Sequence, residues 1–198
     1  MKKIIFATNN KHKVTEINGV IGTDLKIITL EEAEIFIDIP EPYNTLEDNA
    51  ITKAETVFAL TKTDCFSEDS GLFVEALNGQ PGVKSARYIE AGESFTDNID
   101  KLLTNLGSET NRAAEFKTVI CLIVQSKQYL FEGSCKGIIS KDRMGTGGFG
   151  YDPVFVPEGY LKSFAEMSPI EKTNISHRTK AVKKLLAHLS MGGNFGSI

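Results

Sequence analysis

The residues best suited to chemistry fall into a few short segments. Glu68-Asp69-Ser70-Gly71 sets two adjacent carboxylates beside a hydroxyl, between the apolar runs Cys65–Phe66 and Leu72–Val74. That pattern reads as a strand carrying two acids at a turn near its end. Successive strand side chains point to opposite faces, so only one of Glu68 and Asp69 can face a given cleft, and they do not make a matched acid–base pair. Carboxylates with a hydroxyl suit Mg2+, which takes oxygen ligands and usually binds through one or two carboxylates plus substrate phosphates. Glu41, in Pro40-Glu41-Pro42, is a second acid of this kind, on a stiff loop. Taken singly, each acid reads more simply as a turn or surface residue.

Thr8-Asn9-Asn10-Lys11-His12-Lys13 lies between a strand and a helix, where backbone N–H groups can meet an anion. Lys11 and Lys13 add charge, and Thr8 and Asn10 add hydrogen bonds. A solvated loop explains the segment equally well, and it lacks the spacing of a P-loop. In Gly147-Gly148-Phe149-Gly150-Tyr151-Asp152-Pro153, glycines around an aromatic ring let the backbone approach a flat ligand while the ring stacks on it. A structural turn with Phe149 in the core is the competing reading. Lys172, His177 and Arg178 cluster at the start of the last helix, where Arg178 can offer a planar fork to a carbonyl or phosphate. Histidines and cysteines show no zinc spacing, and neither a G-x-S-x-G elbow nor an opening G-x-G-x-x-G is present.

The elements that must position these segments alternate between strand and helix periods, which makes the chain α/β. Ile4–Ala7 reads as a buried strand, Val14–Ile21 as a helix ended by Gly22, and Leu25–Leu30 as a second strand. A helix capped by Thr45 follows, with Leu46, Ala50, Ala54, Val57 and Phe58 on one face. Asn78-Gly79 and Pro81-Gly82 mark turns. Thr96–Leu106 is a third helix, stopped by Gly107. Phe116–Gln125 and Gln128–Gly133 form a hairpin around Ser126-Lys127. The last helix buries Val182, Leu185, Leu186 and Leu189, and starts at Ser176 or at Ser168-Pro169-Ile170-Glu171. The tail, residues 191–198, is expected to be flexible.

The composition bounds what those segments can do. A length of 198 residues gives one large domain or two small lobes; here the whole chain is taken as one domain. Hydrophobic residues at 41% and charged residues at 24% exclude a disordered chain. Twenty-two Lys and Arg against 26 Asp and Glu leave a net charge of −4, which argues against a nucleic-acid polymer as partner. A polyanionic substrate must be met by local cations or a metal. No apolar run approaches the ~20 residues of a membrane span, and the opening apolar stretch is too short for a signal peptide. Cys65, Cys121 and Cys135 have no paired spacing and read as reduced, mostly buried thiols of a cytoplasmic protein.

Taken in order, these segments resemble the Ham1-like family of inosine triphosphate pyrophosphatases, also called non-canonical purine NTP or dITP/XTP pyrophosphatases. The likeness runs from Lys3 to Leu189. It rests on T-x-N-x-x-K (Thr8 to Lys13), N-A-x-x-K-A (Asn49 to Ala54) and Glu68-Asp69-Ser70-Gly71. Pro81-Gly82, Ser85-Ala86-Arg87-Tyr88, Gly145–Pro153 and Ser176-His177-Arg178 complete it. The resemblance implies an elongated two-lobed α/β fold around a long mixed sheet, with the active site in the cleft between lobes, usually as a homodimer. It implies Mg2+-dependent hydrolysis of ITP, dITP and XTP to the monophosphate and pyrophosphate, which cleanses the nucleotide pool.

By the same resemblance, Thr8, Asn9, Asn10, Lys11, His12, Lys13 and Lys53 bind phosphate. Glu41 and Asp69 hold the metal, with Glu68 as a further acid, and Asp69 is the catalytic residue. Ser70 touches substrate, while Phe149, Gly150, Tyr151, Asp152, Lys172, His177 and Arg178 surround the base. A metal-held carboxylate has a lowered pKa, so metal positioning is the main role expected of Asp69, with water activation shared with Glu68 or the metal. Two positions depart from the family pattern: Asn9 stands where Gly is usual, and Leu46 and Asp48 replace Phe and Glu.

Overall fold

The computed structural model describes residues 2–23 and 25–191. The expected flexible tail lies, from residue 192 on, outside the described residues. Twelve regular elements follow in the order β1 (Lys2–Phe6), α1 (Lys11–Asn18), β2 (Leu25–Ile28), α2 (Leu46–Thr61), β3 (Cys65–Val74), β4 (Pro81–Gly82), α3 (Asn98–Leu106), β5 (Ala113–Val124), β6 (Lys127–Ile139), β7 (Phe155–Pro157), α4 (Pro169–Ile175) and α5 (His177–Met191). The strands form a mixed seven-stranded sheet in the order β2-β1-β3-β5-β6-β7, with β4 also paired to β3. β1 runs parallel to both β2 and β3, whereas β3–β4 and β6–β7 are antiparallel. No helix among the described residues is long and apolar enough to cross a membrane.

The chain divides into two compact units: residues 1–69, 118–133 and 178–198 in the first, and 70–117 and 134–177 in the second. In the first unit, Ile4, Phe6, Ile17, Phe66, Ile120, Leu122, Val182 and Leu185 make a core between strands and the helices α1 and α5. Phe6 and Phe66 stack there at 4.4 Å between ring centroids. In the second unit, Ile99, Leu102 and Leu106 of α3 pack with Leu72, Val74, Phe116, Phe155 and Phe164. The spacing of those α3 residues is the helical apolar stripe read from the sequence.

Several boundaries differ from the sequence expectation for local reasons. α1 begins at Lys11 rather than Val14, because Asn10 caps it, accepting from the N–H groups of His12 and Lys13. Thr45 caps α2 as expected. The expected turn at Glu68-Asp69 is absent: β3 runs unbroken for 10 residues with both acids mid-strand. The hairpin turn is Gln125-Ser126, one residue earlier than expected, with φ of 50° and 61° as the favoured two-residue turns require. Both expected starts of the last helix exist: Ser168 and Glu171 form a capping box for α4, and α5 begins after Ser176. All three cysteines are free and buried, and burial pushes the Cys65 and Cys121 thiols up to about 12.

Candidate active site

In the first unit the side chains of β3 alternate between two sets of partners. Cys65, Ser67 and Asp69 face α2: the Cys65 thiol donates to the Ala54 carbonyl at 3.3 Å, and the Ser67 hydroxyl donates to that of Ala50. Asp69 then meets Asn49 and Lys53, which are four residues apart and so share one helix face. Asn49 Nδ2 lies 3.3 Å from Asp69 Oδ2, and Lys53 Nζ lies 3.1 Å from Asp69 Oδ1. The Lys53 ammonium also forms a short ion pair with Glu41. Glu41 and Asp69, both inferred as metal ligands, thus converge on one cationic point.

This donor set fits a magnesium ion. It is all oxygen, it places two carboxylates together, and Mg2+ completes its shell with water and phosphate rather than with a protein cage. Among the described residues no three His, Cys, Asp or Glu side chains gather for a metal, so a closed cage is not built. The Asp69 carboxyl sits above the ordinary aspartate range: burial raises it, Lys53 and Lys13 pull it down, and Glu41 raises it further. Desolvation is the largest of these causes.

Phe66 and Glu68 face the other way. Arg178 clamps Glu68 with both arms, Nε to Oε2 and Nη2 to Oε1, each at 2.8 Å, and its Nη1 pairs with Glu16. Lys13 Nζ approaches Glu68 Oε1 at 3.5 Å. Burial opposes the Arg178 charge, but the carboxylates of Glu68 and Glu16 outweigh it and hold its pKa above the ordinary value. Burial lowers the pKa of Lys13, against the pull of Glu68. Glu68, named above as a further acid, is held here by Arg178 through both oxygens, and the Arg178 fork, expected to meet a carbonyl or phosphate, holds Glu68 in this structure.

The Thr8–Lys13 loop also differs from the expectation that its amides await an anion. Asn10 Oδ1 accepts from His12 and Lys13, and Thr8 Oγ1 accepts from the Asn10 N–H at 3.2 Å. Asn9 Nδ2 donates to the Ile37 carbonyl at 3.1 Å. Lys11 and His12 are exposed, so the loop also offers side-chain cations. Asp48, the replacement for a family Glu, accepts the Thr45 hydroxyl at 2.6 Å and serves the cap.

In the second unit the glycine-rich segment folds around Asp152, which is 3% exposed. Asp152 Oδ2 accepts the Phe149 N–H at 2.8 Å and the Lys172 ammonium at 2.6 Å. Gly148 has φ of +71°, and a Cβ there would collide with the Asp152 carboxylate, so only glycine allows this approach. Phe149 is half-buried and outside the core cluster, with Lys172 Nζ 5.2 Å from its ring centroid. Gly150 is exposed beside it, and Ser70 is half-buried on β3.

Tyr151 and His177, expected around a base, are both buried in this unit. The Tyr151 ring lies in the core and its hydroxyl donates to the Ser85 carbonyl at 2.9 Å. His177 stacks on Phe116 at 4.6 Å between centroids and at 6.5 Å on Phe164. Sequence reasoning missed Glu16, Ser85 and the Asn49 side chain. Glu16 carried a signal, since it lies three residues after Lys13 and so on the same face of α1.

With this geometry in view, comparison with known proteins is direct. The model of the Ham1 family matches residues 4–188. The dITP/XTP pyrophosphatase of Flavobacterium psychrophilum is 52% identical over 184 residues, 93% of this chain and 97% of that protein. A solved structure, the Staphylococcus aureus Ham1 protein, shares 37% identity and superposes with a TM-score of 0.85 over 96% of this chain and 100% of its own. The HAM1 protein from Coxiella burnetii, 33% identical, gives a TM-score of 0.86 over 96% of this chain and 100% of its own. The ordered motifs and matches across nearly its whole length lead to one conclusion: this chain belongs to the Ham1 family.

Proposed function

We infer that this chain hydrolyses non-canonical purine nucleoside triphosphates, ITP, dITP and XTP, to the monophosphate and pyrophosphate. The observation that carries the reading is the convergence of Glu41 and Asp69 on Lys53, which gathers two metal-competent carboxylates around a phosphate-competent cation. The Flavobacterium relative named a dITP/XTP pyrophosphatase supports it. Glu41 and Asp69 would hold Mg2+, which when bound neutralises phosphate charge and orients water. Lys53, Lys11 and Lys13 supply positive charge for the triphosphate, which a chain of net charge −4 must provide locally. Asp69 would chiefly position the metal, with activation of the attacking water shared with Glu68 or the metal.

The second unit supplies base recognition in this reading. A purine stacked on Phe149 meets the Lys172 ammonium, which only donates hydrogen bonds. Hypoxanthine and xanthine offer a 6-oxo acceptor there, whereas the 6-amino group of adenine leaves the donor unmatched. A cytoplasmic homodimer completes the proposal, and sedimentation tests its oligomeric part.

The test is a panel of ITP, dITP, XTP, ATP, GTP and CTP with Mg2+, assayed separately for pyrophosphate and orthophosphate. Pyrophosphate is the expected product, and ITP and XTP should exceed ATP by at least about 10²-fold in kcat/KM. Orthophosphate release, or equal turnover of ATP and ITP, overturns the reading.

A further inference from the structure

Glu41 sits on a segment, residues 35–45, that contains no helix or strand. Such a segment lacks the ladder of backbone hydrogen bonds that fixes a side chain in an element, so its acid must be placed by other contacts. The structure shows them on both sides of Glu41. On one side, Asn49 grips Tyr43, its Oδ1 accepting the Tyr43 N–H at 3.0 Å and its Nδ2 lying 3.1 Å from the Tyr43 carbonyl. On the other, Asn9 Nδ2 donates to the Ile37 carbonyl at 3.1 Å. Between them Glu41 pairs with Lys53.

We propose that Asn9 is a positioning residue for Glu41: its side-chain amide ties the Glu41 segment to the loop Thr8–Lys13, so that the acid is held ready beside Lys53 and Asp69. The proposal rests on the metal-dependent reading above. It also gives a role to a departure from the family pattern, since a glycine at position 9 has no side chain to make this bond. Asn9 itself touches neither the acid nor Lys53, and it acts only through the backbone it holds. Without the tether, Glu41 must be ordered when the ion binds, and that ordering weakens the apparent affinity.

Two substitutions separate the side-chain bond from backbone freedom. Asn9→Ala removes the donor and keeps a Cβ, while Asn9→Gly removes the donor and restores the usual family residue. The first readout needs neither metal nor substrate. Phe36 is 79% exposed next to Ile37, so chymotryptic cleavage after Phe36 reports release of the segment. Cleavage of the metal-free protein should be about 3- to 10-fold faster in both variants, the range expected for loss of one neutral hydrogen bond.

The second readout is the Mg2+ concentration giving half-maximal turnover of ITP. It should rise by about the same factor in both variants, while the melting temperature stays within error. Unchanged cleavage overturns the tether. Faster cleavage with an unchanged Mg2+ requirement overturns its role in placing Glu41, as does an effect confined to Asn9→Gly. Absence of ITP turnover in the unmodified protein instead refutes the pyrophosphatase reading, and cleavage after Phe36 still decides the tether.

Discussion

The two units handle buried charge in different ways. In the first, Glu68 pairs with Lys13 and Arg178 while Asp69 pairs with Lys53, so that each face of β3 carries its own set of ion pairs. In the second, Lys172–Asp152 is buried among aromatic rings, with Phe149 and Phe164 both near the lysine. Dense, mutually paired charges suit an ion and a polyphosphate, because substrate charge can enter a network already balanced. A pair fixed among flat rings suits a flat heterocycle that needs one donor in one place. On the proposed reading the contrast also separates chemistry from selection. Changes in the first unit should move kcat or stability, and changes in the second should move KM and substrate preference.

The largest expected effect is on chemistry. Asp69→Asn should cut turnover by about 10²- to 10⁴-fold while nucleotide binding, followed by calorimetry, persists. A variant retaining more than about a tenth of the normal rate would remove Asp69 from the centre. Next comes Arg178→Ala, which strands the Glu68 carboxylate in a site where its side chain is fully buried. Breaking such a pair typically costs about 3–5 kcal/mol, so denaturant unfolding should show a large loss of stability. If stability is unchanged and only the preference for ITP over ATP shrinks, Arg178 belongs with base recognition, and the division between units is drawn wrongly.

Phe149→Ala sharpens the comparison from the other side. Loss of a stacking ring should raise KM for ITP by about 5- to 100-fold with little change in melting temperature. Strong destabilisation would mean that the ring serves the core. The smallest effect belongs to the exposed cluster of Arg143 with Asp97 and Asp100 in the second unit. Hydrogen bonding from Arg143 holds the Asp97 carboxyl below its usual range. A depressed folded pKa gives stability that is complete above the unfolded value and is lost as pH falls through the folded one. The difference in melting temperature between the normal chain and Arg143→Ala should therefore be slight at pH 7, begin to shrink only below about pH 4, and vanish once pH has fallen through the lower folded value.

How far the site was legible in the sequence depended on whether its contacts are local. The Thr45 cap, the α3 stripe and the Ser168–Glu171 capping box lie within a turn or two of chain and were read correctly. The start of α1 was not, because the apolar rhythm begins at Val14 and hides the cap at Asn10. At Ser67–Ser70 a polar run was taken for a turn. Such a run can lie inside a buried strand only when distant partners satisfy it, and Glu68 finds Arg178 110 positions away. Tyr151 and His177 show a related limit: aromatic and imidazole rings serve ligands or cores equally well, and only the fold sets them beside Ser85, Phe116 and Phe164.

By itself the sequence determined the α/β alternation, the caps at Thr45 and Ser168 and the opposite facing of Glu68 and Asp69, since all of these follow from local geometry and period. It also placed the chain near its family, because ordered motifs need no coordinates. Only the tertiary structure decided what each charge is for. Asp69 meets Glu41 at Lys53 while its neighbour Glu68 is spent on Arg178, and Asn9 reaches Ile37 across 28 positions. Those pairings join segments that no local rule connects. Their cause is burial, which leaves each charged or polar group stable only where folding has brought it a partner.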